Sequence, residues 1–335
     1  MCGSRPLWQD QHPPEIIGPE RARPLPAAVR QVPRRDRTPD RYRHAVADTM
    51  VLDLPDGREM AWLELGDPDG PVVFVFHGTP GSRRQVSFDA ESITAAGVRF
   101  IAPDRPGYGH SSFQRRRTLA DWADDVVRLA DHLGVECFAV VGLSGGGPFA
   151  AACARQLPNR VLTTGIVSGV GLLDEPGAEK GMMGLNRLVN RLARISPYLV
   201  YPPMALTGSV FRHWPEQALK AGSGQLPEAD IAVLSRPDVK AAFIQDARSA
   251  PATSPMAAAQ EFALFASDWG FRLEDITTPV HLWHGDKDRN VPISHARLQA
   301  ARIPGAHLHE CPGEGHMLMV DHLEEILRTV SKTQT

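Results

Sequence analysis

The chain has 335 residues, of which 42% are hydrophobic and 22% charged, and its formal net charge is −3. This composition supplies a full apolar core, which excludes a disulfide-stapled mini-protein, a fibre and a wholly disordered chain. Charges of both signs are interspersed, so no nucleic-acid partner is expected.

The first segment, residues 1–45, holds nine arginines and eight prolines against five acidic residues and few large apolar groups. Such a mixture buries too little surface to offset its ordering entropy, and this tail is expected to be disordered. No apolar stretch of signal-peptide type follows the amino terminus, which makes the cytoplasm the expected location. Cys2, Cys137, Cys153 and Cys311 lie far apart without a CxxC pair, an arrangement that argues against zinc or a redox motif.

From residue 50 onward short β-rich runs alternate with helical patterns, the mark of βαβ units and a mostly parallel sheet. MVLDL and EMAWLEL flank Pro55-Asp56-Gly57 and predict an opening antiparallel hairpin. PVVFVFH is apolar throughout and suits a central strand buried on both faces. VRFIAP, FAVVGL, VLTTGIVS, PVHLWHG and AHLHEC supply further strands, with helices expected near 83–96, 118–133, 147–157, 293–302 and 317–331. The longest uncharged run, residues 138–154, is broken by glycine, serine and proline, so it reads as strand, turn and helix and no membrane partner is expected.

The alternation stops between residues 171 and 270, which read as a helical insertion. There Leu185, Leu188, Val189, Leu192 and Ile195 recur at helical spacing opposite Arg187, Asn190, Arg191 and Arg194. A helix of this kind is expected to pack its apolar stripe on its own domain, although the same pattern suits a membrane surface. The insertion's Phe211, Trp214, Phe243, Met256, Phe262, Phe265 and Trp269 offer apolar surface for a pocket. They are expected chiefly to pack the insertion itself.

Chemistry enters at Gly142-Leu143-Ser144-Gly145-Gly146, a GxSxG pattern between a strand and a helix. A nucleophile on so sharp a turn needs small neighbours two positions away, which Gly142 and Gly146 provide. Serine is a poor nucleophile near neutral pH and needs a base, which in turn needs a third group to hold its tautomer. Asp286 and Asp288 follow one predicted strand and His316 follows the next. In such a sheet the carboxyl ends of the strands share an edge, so these groups can converge on Ser144. HGTPGS, residues 77–82, follows the buried strand and offers the Thr79 amide beside that of Gly145 as an oxyanion hole. Pro80 has no amide proton and fixes the bend, for which a cis Thr79–Pro80 bond is one route.

Taken together, HGTPGS, DRPGYGHSS, GLSGGG, HGDKDRNVP and GEGH resemble the α/β-hydrolase superfamily in order and spacing, over about residues 50–335. The resemblance implies an α/β-hydrolase core made of residues 46–170 and 271–335, with residues 171–270 as a helical cap inserted after the sixth strand. It also implies that Ser144 is the nucleophile, His316 the general base and Asp288 the acid, since relatives place that acid shortly before a proline, here Pro292. Asp286 is the alternative. Thr79 and Gly145 match the family's oxyanion donors. The implied activity is hydrolysis of an ester or related acyl bond of a small molecule through an acyl-enzyme, with no cofactor and no metal. Acyl transfer and proline-iminopeptidase-like peptide cleavage are alternatives within the fold, and a small-ligand receptor is the non-enzyme alternative. Relatives that open epoxides or haloalkanes carry aspartate at the elbow, where this chain has Ser144.

Other polar residues read as structural. His77 belongs to the turn, His284 to a strand end, and His281, His307 and His309 to strands, without the spacing of a metal site. Arg83 and Arg84 are expected to be solvated residues at a helix start.

Overall fold

The computed structural model describes residues 29–32, 49–249 and 254–332. Its strands are β1 (Val29–Val32), β2 (Thr49–Asp53), β3 (Glu59–Gly66), β4 (Val72–Phe76), β5 (Arg99–Pro103), β6 (Phe138–Leu143), β7 (Val161–Val167), β8 (Val280–Gly285) and β9 (His307–Cys311). They form one sheet in the order β1-β2-β3-β5-β4-β6-β7-β8-β9. The pairings from β1 through β3 to β5 are antiparallel, and those from β5 through to β9 are parallel.

Between the strands run α1 (Arg83–Val86), α2 (Ala90–Ala95), α3 (Ala120–His132) and α4 (Gly147–Gln156). Six more helices lie between β7 and β8: α5 (Gly184–Ile195), α6 (Pro197–His213), α7 (Pro215–Ser223), α8 (Glu228–Leu234), α9 (Pro237–Ser249) and α10 (Pro255–Phe265). The last two, α11 (Ser294–Arg302) and α12 (Met319–Ser331), follow β8 and β9.

The period-two geometry of a strand divides the core into two layers. Phe74 and Phe76 of β4 pack with Trp122 and Leu129 of α3 and with Phe149 of α4. Val73 and Val75, on the other face, pack with Ile93 of α2 and with Leu323, Ile326 and Val330 of α12. A strand covered on both faces must be apolar at every position, and the VVFVF of β4 is.

Several expectations need correction. Val29–Val32, inside the segment expected to be disordered, pairs with β2; its apolar residues complete an antiparallel edge that the arginine-rich composition obscured. The rest of residues 1–45 lies outside the described residues. The extra strand also shifts the strand count, so the helical insertion follows β7. The single helix expected over 83–96 is two, because Asp89 starts a new one: its carboxylate accepts from the Ser92 amide at 3.0 Å and the Ser92 hydroxyl at 2.6 Å. Arg83 is not solvated. It is buried in an ion pair with Asp104, which also accepts from the Arg83 amide at 2.7 Å.

Only part of the stripe on α5 packs inward: Val189 is buried and Leu192 packs against the core. The buried side carries Val189, Asn190 and Ala193, whereas Leu188 is 53% and Ile195 75% exposed. Two polar anchors fix this rotation: Arg194 donates to the Leu173 carbonyl, and Asn190 lies 3.2 Å from the Met182 sulfur. Of the insertion's aromatic residues, Phe265 and Trp269 are buried and Phe211 meets Phe243 edge to face, while Trp214 is exposed. No helix among the described residues is long and apolar enough to cross a membrane.

Candidate active site

Ser144 stands between β6 and α4 with φ = 51°, a left-handed conformation that a side chain adopts only under constraint. The constraint is steric. A Cβ on Gly142 would collide with the Gly146 carbonyl, and one on Gly146 would lie 2.5 Å from the Phe76 carbonyl oxygen of β4. The two glycines are therefore required by backbone passing backbone, and the turn they permit lifts the hydroxyl off the end of the sheet.

The structure brings His316 and Asp288 to that hydroxyl. Ser144 Oγ lies 3.0 Å from His316 Nε2, and His316 Nδ1 lies 2.7 Å from Asp288 Oδ2. Asp288 follows β8 and His316 follows β9, so parallel neighbours deliver both groups to one edge. The Asn290 and Val291 amides donate to Asp288 Oδ1 at 2.8 and 2.9 Å. Burial pushes this carboxyl up, but the adjacent His316 and His284 outweigh it and hold it well below the usual range. An ionised Asp288 accepts a hydrogen bond from the protonated Nδ1 of His316, which leaves Nε2 free to accept from serine. Asp286, the alternative acid, is turned away: it accepts from the Gly313 amide at 2.7 Å and the Lys287 ammonium at 2.9 Å, and so pins the loop after β9.

Across the serine, the Thr79–Pro80 bond is cis. Thr79 and Gly145 are in contact: a Cβ on Gly145 would collide with the Thr79 hydroxyl and sit 3.1 Å from its amide nitrogen. His77 supports this loop in a fixed tautomer. Its Nε2 accepts from the Arg105 amide at 3.1 Å, so Nδ1 carries the proton and donates to the Gly78 carbonyl at 2.8 Å. Burial and the Arg105 charge push its pKa down to about 3, which keeps the ring neutral.

A buried group behind this loop was missed in the sequence. Glu261, on α10 of the insertion, accepts from Arg105 at 2.8 and 2.9 Å, from Arg117 at 2.6 Å, from the Tyr108 hydroxyl at 2.9 Å and from the Thr79 hydroxyl. Burial raises its pKa, but Arg105 and Arg117 outweigh that and bring it down to about 2. A lone carboxylate among PMAAAQEFALF was the available signal, since an unpaired charge is rarely buried. Glu261→Ala leaves two guanidinium groups buried without a counter-charge and is expected to cost about 3 to 5 kcal/mol. Thermal unfolding should show a fall of roughly 6 to 20 °C; a fall of less than about 2 °C would mean that the cluster contributes little. Because the carboxyl's pKa is depressed, its stabilisation is complete above the ordinary glutamate value and disappears as pH falls from there toward about 2.

A second buried carboxylate reaches the loop that carries His316. Asp230 of α8 accepts from the Met317 amide at 2.9 Å and lies against Gly315, where a Cβ would overlap it. Burial lowers the pKa of His316, but Asp288 outweighs this, Asp230 adds to it, and the net shift is upward. The insertion thus touches both the Thr79 loop and the His316 loop through charged groups.

The end of β9, the loop after it and α12 also bring Cys311, Glu314 and His322 within 4.8 Å of one another, a Cys/His cluster that the sequence did not foretell. Both ring nitrogens of His322 already contact carboxylates, Glu314 at 2.8 Å and Glu325 at 3.0 Å, which suits a protonated ring better than a metal ligand.

Comparison with known proteins identifies the family. The family model for the alpha/beta hydrolase fold matches residues 71–323, and the chain belongs to that family. It is 26% identical over 276 residues to the dihydrolipoyllysine-residue acetyltransferase component of an acetoin cleaving system from Pseudomonas putida, covering 81% of this chain and 65% of that one. It is 27% identical over 268 residues to the uncharacterized hydrolase YcgS of Bacillus subtilis, covering 74% and 86% respectively. A thermophilic esterase from Thermogutta terrifontis has the same fold, with a TM-score of 0.61 at 24% identity over 85% of this chain and 97% of that one. The matched span includes strands β4 to β9, the helical insertion and the loops of Ser144, Asp288 and His316.

Proposed function

We propose that the protein is a serine hydrolase that cleaves an ester or related acyl bond of a small molecule through an acyl-enzyme on Ser144. The observation that carries this reading is the continuous relay from Asp288 Oδ2 through His316 to Ser144 Oγ, at 2.7 and 3.0 Å. His316 removes the serine proton as Oγ attacks the carbonyl carbon, and the developing oxyanion meets the amides of Thr79 and Gly145. The same histidine then protonates the leaving group, and water activated by it releases the acid. On this reading α5 to α10 form a cap over the serine, and Glu261 and Asp230 hold the cap to the two loops that do the chemistry.

A fluorophosphonate probe tests the proposal: folded protein should be labelled at Ser144 and the Ser144→Ala variant should not. An unlabelled Ser144 in folded protein would remove the hydrolytic reading and leave a ligand receptor. Product analysis with added alcohols or thiols separates hydrolysis from acyl transfer, which the acetyltransferase relative brings into question.

The base works only when neutral, so kcat/KM falls as pH drops through the His316 pKa. With that pKa raised, the acid limb should lie above the ordinary histidine value of about 6.5. Asp230→Asn should move the limb toward lower pH. A limb at or below about 6 in the unaltered protein would contradict this electrostatic picture.

A further inference from the structure

α5 and α6 bury Val189, Ala193 and Val200 but present a second set of apolar side chains to solvent. Leu185, Leu188, Ile195, Tyr198, Tyr201 and Leu206 are 41 to 75% exposed. Single exposed leucines are ordinary, whereas six apolar and aromatic side chains on two adjoining helices make a patch that calls for a partner. The formal charge carried by α5 and α6 themselves has one sign. Residues 184–213 contain Arg187, Arg191, Arg194 and Arg212, all exposed, and no aspartate or glutamate, in a chain where 39 acidic residues outnumber 36 basic ones. At 100° per residue, Arg187, Arg191 and Arg194 fall along one border of the Leu185, Leu188 and Ile195 stripe. Glu179 lies 3.4 Å from Arg191 and 3.5 Å from Arg194 and offsets part of this charge. Among the described residues no carboxylate pairs with Arg187 or Arg212.

We propose that α5 and α6 form a docking face for an anionic lipid bilayer. The leucines and Ile195 enter the boundary between headgroups and acyl chains, Tyr198 and Tyr201 sit at headgroup depth, and Arg187 and Arg212 meet lipid phosphates. Charge decides between occupants. A symmetric pair of copies would place these arginines against their own equivalents with no acidic group in either hairpin to neutralise them. Residues 1–45 carry nine arginines against five acidic residues and would be repelled by the same face. This inference is independent of the chemistry at Ser144.

The test is flotation of the full chain with vesicles of phosphatidylglycerol and phosphatidylcholine in equal parts, and with phosphatidylcholine alone. Binding is expected to the anionic vesicles, to weaken as salt rises, and to be lost with neutral ones. The double variant Leu188→Asp, Ile195→Asp should lower the partition coefficient by about tenfold or more. Arg187→Ala and Arg212→Ala should each lower it about fivefold, which provides a second readout if the aspartate variant unfolds earlier by circular dichroism. The proposal is overturned by absence of binding to anionic vesicles, by binding that both sets of variants leave unchanged, or by a dimer in light scattering that Leu188→Asp dissolves.

Discussion

Replacing Ser144 by alanine is expected to lower kcat/KM for a small ester by about 10⁶-fold, with the melting temperature nearly unchanged. The hydroxyl oxygen is the only atom removed, and its loss leaves His316 with nothing to deprotonate but water. A residual rate is expected, because the Thr79 and Gly145 amides still stabilise an oxyanion formed by direct attack of water. The backbone at residue 144 has φ = 51° and is held by the contacts of Gly142 and Gly146, which alanine does not disturb. Steady-state hydrolysis of a chromogenic ester measures the effect. A decrease of less than about tenfold would show that the reaction does not pass through this oxygen.

Asp288→Asn should cost about 10⁴-fold in kcat, whereas Asp286→Asn should stay within a few-fold of the unaltered protein. The two positions are two residues apart, but their surroundings differ completely. The amides of Asn290 and Val291 both donate to Oδ1 of residue 288, at 2.8 and 2.9 Å. An asparagine there keeps its oxygen on those donors and turns its NH2 toward His316 Nδ1. That nitrogen must then accept, the ring proton moves to Nε2, and the histidine no longer accepts from Ser144. At position 286 the carboxylate faces Lys287 and the Gly313 amide, so its replacement loosens a loop and leaves the relay alone. Equal losses from the two variants would show that the acid acts on the whole loop and not on the histidine tautomer.

Legibility in the sequence followed the range of the interaction concerned. The central strand β4 was readable because a strand covered on both faces has to be apolar throughout, and the elbow was readable because strand, glycine, serine, glycine and helix are consecutive. Asp288 could be preferred over Asp286 only through the family resemblance, since nothing local separates two aspartates on one turn. Glu261 was missed because its partner Arg105 is 156 residues away in the chain, and neither residue's neighbours announce the other. Arg83 was misread for the same reason: its counter-ion Asp104 comes from the next strand.

By itself the sequence determined the alternation of strands and helices, the position of the serine turn and the order in which serine, acid and histidine arrive. All of these depend on periodicity and on steric rules acting over a few residues. The tertiary structure decided which aspartate faces the histidine, which buried carboxylates tie the helical insertion to the loops of Thr79 and His316, and which side of α5 meets solvent. Those outcomes depend on charge compensation and hydrogen-bond satisfaction between segments that become neighbours only when the sheet closes, and local pattern carries no record of them.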